Sequence, residues 1–273
     1  MSVVNSNIRA LIASQALKLS ERSLGTAMER LSTGKRINSA ADDAAGLAIG
    51  NKMATQIRSL NQAVRNANDA ISMIQTADGA ADGITNLLIR MRELVVQATN
   101  GTNSTSDKTA LQTEFSSLQT EITRISDKTT WNGVALIGAD AGSVAYQIGI
   151  DGTTDSQVTV TFKDLNSGTS FATAVATTTS ATATTSITHL DEAISALDAF
   201  RSDLGAKINR LNYAADNLTN IATNTAASRS RIVDTDYAQT TSELARAQII
   251  RQAGTDMLAQ ANQQPAFVLA LLR

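Results

Sequence analysis

A mainly α fold is what this 273-residue sequence predicts: an elongated coiled-coil helical bundle with a small β-hairpin region, in which both terminal helices pair. Three observations carry that expectation. Apolar residues recur at steps of three and four over very long stretches, the signature of helical seams. A single proline, Pro265, leaves almost the whole chain free to be helical. Aromatic residues make up only 3% of a chain that is 42% hydrophobic. The core must then be filled by Ala, Leu and Ile, which suits close helix packing better than a β-sandwich or a deep ligand pocket.

At the N-terminal end Val4, Ile8 and Leu11, then Leu17, Leu24, Met28 and Leu31, set out one amphipathic helix. Asp42 and Asp43 mark the next helix start, where the macrodipole favours acidic side chains. From there the spacing runs Gly46, Gly50, Met53, Ile57, Leu60, Val64, Ala67, Ile71, Ile74, and on through Ala77, Ala81, Ile84, Leu88, Met91, Val95 and Ala98. The join adds one extra step of three, a stammer in coiled-coil terms. A continuous helix over 44–99 would be about 80 Å long at 1.5 Å per residue, so it needs partners along its length. After the polar turn Asn100 to Ser104, Leu111, Phe115, Leu118, Ile122 and Ile125 supply one partner.

The period then changes. Tyr146, Ile148 and Ile150 alternate, a turn-rich link follows at Asp151 to Asp155, and Val158, Val160 and Phe162 alternate again. That predicts a β-hairpin within about 134–163. Residues 164–186, rich in Thr, Ser and Ala, have too little apolar weight for a core and are expected to form an exposed loop with one weak strand, a candidate for O-linked sugar by composition. Ile187, Leu190, Ile194, Leu197, Leu204, Ile208, Leu211, Ala215, Leu218 and Ala222 define a third long helix. A last one follows Ala247, Ile250, Gly254, Met257, Ala261, Gln264, Val268 and Leu271, with Pro265 interrupting its hydrogen bonding. The expected division is an N-terminal arm over 1–42, a bundle over 43–233 and a C-terminal arm over 234–273.

Charge is spread unevenly. Residues 1–40 carry six Lys or Arg against two Glu, and residues 234–273 three Arg against four acids, in a chain of net charge −2. Basic and acidic arms lying side by side fit that asymmetry, and the overall balance gives no reason to expect nucleic acid or a membrane surface as partner. No apolar run of about 18 residues is present to span a bilayer. The N-terminal segment lacks the pattern of a cleaved secretory signal, so any export is expected to leave it intact. Without cysteine there is no disulfide, thiolate nucleophile or cysteine metal site.

Catalysis finds little to work with. His189, the only histidine, has Ser186 and Asp191 nearby in sequence, but neighbours at a helix start rarely form a bridged triad, and a solvent-facing histidine is the preferred reading. Asp78 and Asp82 lie on a helix without a loop of oxygen ligands. The segment Ser32-Thr33-Gly34-Lys35 lacks the first glycine of a phosphate loop, since Glu29 stands there, and Arg36 follows the lysine. Arg90, Arg92 and Glu93 read as an ion-paired helical face. No catalytic residue, cofactor or metal site is expected.

The residues from Leu31 through Gly34, Lys35, Asn38, Asp42, Asp43 and Gly46 to Ile49, the run Arg90 to Ala98, the triplet Trp131-Asn132-Gly133, and the stretch from Arg229 through Asp234, Asp236 and Tyr237 to Ala238 and onward through Gln260 to Gln263 together resemble bacterial flagellin. The resemblance implies a structural subunit that polymerises into the flagellar filament for swimming, its terminal helices forming an inner tube and its bundle an outer one. The space where many flagellins carry large variable outer domains holds only the hairpin and the Thr/Ser segment, so a short, core-only form is expected. Polymerisation is assigned to Ile8, Leu11, Leu24, Met28, Leu31, Ile250, Met257, Leu258, Val268 and Leu271. Implied partners are copies of the chain, the flagellar type III export apparatus, a chaperone on the C-terminal arm, and filament cap and hook-associated proteins. The family pattern also places a patch for the flagellin-responsive Toll-like receptor at Arg90, Leu94 and Glu114, with Ile89 departing from the polar residue common before that arginine. A hook–filament junction protein of the same superfamily, or a soluble adaptor that holds a partner helix in a groove, are the alternatives.

Overall fold

The structure, a computed structural model, describes residues 7–164 and 183–270, the backbone alone at 183 and 264–270. The expected Thr/Ser loop therefore lies outside the described residues, apart from 164 and the first turn of the following helix. So do Val4 and Leu271, and the side chain of Val268.

Five helices run through the described residues: α1 Ile8–Thr33, α2 Ala44–Ala98, α3 Thr105–Lys128, α4 Ala183–Val233 and α5 Tyr237–Ala270. Two antiparallel hairpins lie between α3 and α4. The first pairs β1 Thr130–Trp131 with β2 Val134–Ala135, and the second pairs β3 Ser143–Gln147 with β4 Gln157–Thr161, in register from Ser143 opposite Thr161 to Gln147 opposite Gln157. The smaller hairpin was not expected. Its turn is Asn132-Gly133, with φ of 48° and 83°, the Asn-Gly pair that two-residue hairpin loops favour. The larger hairpin sits earlier than the alternation suggested: β3 begins at Ser143 and ends at Gln147, and Ile150 lies exposed beyond it.

Local chemistry sets the helix ends. Gly34 closes α1 in the left-handed region at φ 70°, its N–H donating to the Arg30 carbonyl at 2.9 Å, a cap that costs a residue with a Cβ more. The Asp43 carboxylate accepts from the Gly46 N–H at 2.8 Å while its carbonyl accepts from Leu47. Asp43 thus starts α2 through a side-chain cap, whereas the Asp42 carboxylate bonds back to Asn38 and Ser39. Ser104 and Asp107 form a reciprocal capping box at the start of α3.

The chain forms two compact units, one of residues 1–57 with 223–273 and one of 58–222. The sequence division at 42/43 and 233/234 follows the breaks between helices, whereas this one falls inside α2 and α4. A continuous helix can change packing partners without breaking, and spacing does not record where that happens. In the second unit α2, α3, α4 and the larger hairpin share one core. Ile74, Ile84, Leu88 and Met91 of α2 are fully buried with Phe115 and Ile122 of α3, Leu190 and Leu197 of α4, and Leu136 and Val160 from the hairpin region. Ala67, Ala70, Ala77 and Ala81 are buried between the larger side chains of α2. Small residues let backbones approach, and stability then comes from the length of the seam. Among the described residues no helix is long and apolar enough to cross a membrane.

Candidate functional site

In the first unit α1 and α5 pair antiparallel. The Ser20 hydroxyl donates to the Ala247 carbonyl at 3.2 Å, and the Asn7 side chain donates to the Ala261 carbonyl at 2.8 Å. The seam that α5 turns inward repeats every seven residues as Thr240, Ala247, Gly254 and Ala261, three of them buried and all small. A Cβ built on Gly254 would come within 3.1 Å of the Leu17 side chain. The α1 side contributes Ser20, Leu24 and Ala27.

Below this pair the segment between α1 and α2 is tied to the junction of α4 and α5. Arg36 N–H donates to the Val233 carbonyl at 2.7 Å, Thr235 N–H donates to the Gly34 carbonyl at 3.1 Å, and Lys35 and Asp234 are thereby paired backbone to backbone as an isolated antiparallel bridge. Within the segment one Asp42 carboxylate oxygen accepts from Asn38 N–H, Ser39 N–H and the Ser39 hydroxyl. Those donors, the Ser39 backbone first, hold the carboxyl below the ordinary aspartate value. Ile37 is buried against Gly46, and Val233 against Gly50; a Cβ at either glycine would approach these side chains to 2.6 and 2.7 Å. The Gly34 segment ends a helix rather than opening one, so it presents carbonyls where a phosphate loop would present N–H groups.

Large apolar side chains remain on the outside of the pair. Leu11 is 70% exposed, Ile249 69% and Met257 66%, with Ile8, Ile12, Leu19, Met28 and Ile250 also exposed. Two open grooves lie between the helices. One of about 550 Å³ is lined by Ala16, Leu19, Ser20, Ser23, Glu243, Arg246, Ala247 and Ile250, and one of about 210 Å³ by Arg9, Ala13, Met257, Gln260 and Ala261. Side chains of this size exposed on both helices of one pair are candidates for contact with another chain.

The bacterial flagellin N-terminal helical region matches residues 4–140, and the bacterial flagellin C-terminal helical region matches 187–272. The chain belongs to the bacterial flagellin family. A flagellin of Halalkalibacterium halodurans is 44% identical over 99% of this chain and 100% of its own length. Polar flagellin F of Vibrio parahaemolyticus is 34% identical over 98% of this chain and 99% of its own, in an alignment that runs to 372 positions. At 273 residues the present flagellin is thus a short form. A Bacillus cereus flagellin crystal structure shares 36% identity with a TM-score of 0.51, covering 60% of this chain and 94% of that one.

Of the flagellin residues assigned to polymerisation, Ile8, Leu11, Met28, Ile250 and Met257 are exposed, Leu31 and Leu258 are half-buried, and Leu24 is buried within the arm pair. Leu24 thus packs inside its own chain. Exposed Ile12, Leu19 and Ile249 escaped the sequence reading, because apolar residues surround these helices and one chosen stripe hides the rest. The receptor patch divides likewise. Arg90 and Glu114 are exposed and paired at 2.8 Å, with Glu93 also on Arg90 at 3.0 Å, while Leu94 is fully buried in the bundle core. Four residues separate Arg90 and Leu94, but the surface edge falls between them.

The set-aside chemistry also finds its place. Asp191 holds Arg92 at 2.7 Å, Ser186 is buried and His189 half-buried. Asp78 and Asp82 share Arg201 at 2.9 and 3.0 Å. Among the described residues no cluster of histidines and carboxylates could hold a metal ion.

Proposed function

We propose that this flagellin builds the flagellar filament by packing the outer face of its α1–α5 pair against copies of itself. The exposed apolar side chains of that pair carry the reading. Burying one such side chain contributes about 1.5 to 3 kcal/mol, repeated in every subunit. The role is structural rather than catalytic.

Concentrated protein viewed by negative-stain electron microscopy should show long filaments, and Ile249→Ser with Leu11→Ser should suppress them. Only monomers from the parent chain would refute the reading. Short caps or junctions would favour a hook–filament junction protein, and a stable one-to-one complex with a foreign helix would favour an adaptor.

The same reading extends to further partners, which family membership supports. The chain passes through the flagellar type III apparatus with its N-terminal arm intact, a chaperone covers the C-terminal arm before export, and cap and hook-associated proteins meet the filament ends outside the cell. The flagellin-responsive Toll-like receptor would meet Arg90 and Glu114, with Leu94 acting from beneath by shaping the helix face. Arg90→Ala should weaken receptor activation by the monomer, by about 1 to 3 kcal/mol for a central anchor, and leave the fold intact. Unchanged activation would remove the patch from the receptor surface.

A further inference from the structure

The two ends of the arm pair meet at one side chain. Pro265 lies inside α5, which runs from Tyr237 to Ala270. Proline has no backbone N–H, so the carbonyl four residues earlier, that of Ala261, loses its helical donor. Ala261 is buried, and a buried carbonyl needs a partner. The Asn7 side-chain amide supplies one: its Nδ2 donates to the Ala261 carbonyl at 2.8 Å, while its Oδ1 accepts from the Ala10 N–H at 3.0 Å and caps α1.

Both halves of the amide are thus spoken for. Turning it over would set oxygen against the Ala261 carbonyl and N–H against the Ala10 N–H. Aspartate could cap α1 but would face Ala261 with a second acceptor, and serine is shorter. The contact lies in register with the rest of the pair, since Asn7 faces Ala261, Leu17 faces Gly254 and Ser20 faces Ala247.

We infer that Asn7 is a positioning residue that clasps the arms, supplying α5 with the hydrogen bond that Pro265 withholds. The end of α5 completes its bonding only when α1 is docked and capped, so neither arm forms a finished assembly surface alone. The consequence for assembly rests on the filament reading; the clasp itself does not.

The absence of cysteine makes a direct test possible. Ala13→Cys and Met257→Cys, which both line the small groove beside Ala261, place one thiol on each arm of the full chain. Their effective concentration against glutathione measures arm pairing even where the paired state is minor. It would be compared in four backgrounds: parent, Asn7→Asp, Pro265→Ala, and both together. Asn7→Asp keeps an acceptor to cap α1 and should lower the effective concentration about tenfold. With Pro265→Ala, where the helix satisfies Ala261 itself, the same change should cost less than about threefold. Equal losses in both backgrounds, no loss in the parent, or no disulfide in the parent would each overturn the clasp. The same four backgrounds without the cysteines, viewed by electron microscopy, should show Asn7→Asp raising the lowest filament-forming concentration and Pro265→Ala cancelling that rise. A parent that forms no filaments would sink the filament reading and leave the thiol measurement to decide the clasp.

Discussion

Single atoms decide the segment between α1 and α2. At Gly46 a Cβ would stand 2.6 Å from the Ile37 side chain and 2.4 Å from the Asp43 carboxylate that caps α2. Gly46→Ala should therefore displace Ile37 or break the cap, with a loss of about 1 to 3 kcal/mol by analogy with overpacked cores. Urea unfolding checks it; an unchanged midpoint would mean that the segment yields freely. In the bundle, burial pushes the Tyr146 phenol up to about 12, and its hydroxyl donates to the Met73 sulfur. The folded chain keeps this proton through a range in which the unfolded chain, at about 10, has lost it. Stability is then full below about pH 10 and falls as pH rises towards 12. Tyr146→Phe should flatten that alkaline fall; identical urea midpoints against pH for the two proteins would refute the assignment.

The helices differ in what they bury. Those of the bundle close around large aliphatic and aromatic side chains, whereas α1 buries only Ser20, Leu24 and Ala27, and α5 offers α1 a seam of small residues. Thin seams leave isolated helices marginal in water. Circular dichroism should accordingly show helix content rising when the chain polymerises; equal helicity before and after would count against arms that complete their folding on assembly. Removing residues 256–273 should abolish filaments and leave the bundle core, which lies wholly within 58–222, cooperatively folded. Normal filaments from the truncated chain would show that Met257 and its neighbours are dispensable.

For the whole molecule, the proposed export without cleavage has a direct check. Intact mass measurement of chains recovered from filaments should show no N-terminal loss beyond Met1, and a chain shorter by some twenty residues would contradict export without cleavage. The sequence by itself determined the five apolar helical spacings, the polar turn before α3, the larger hairpin, the acidic start of α2 and the family, because each is written in local periods, turn residues or contiguous motifs. Only the tertiary structure decided which face of each arm turns inward, that Leu24 and Leu94 are buried while Ile12, Leu19 and Ile249 are not, where one packed unit gives way to the next inside α2 and α4, and that Asn7 reaches Ala261. Periodicity fixes which residues share a helix face, but where apolar side chains ring the helix, or a polar side chain bonds a backbone group 254 positions away, the choice is made by what packs against it.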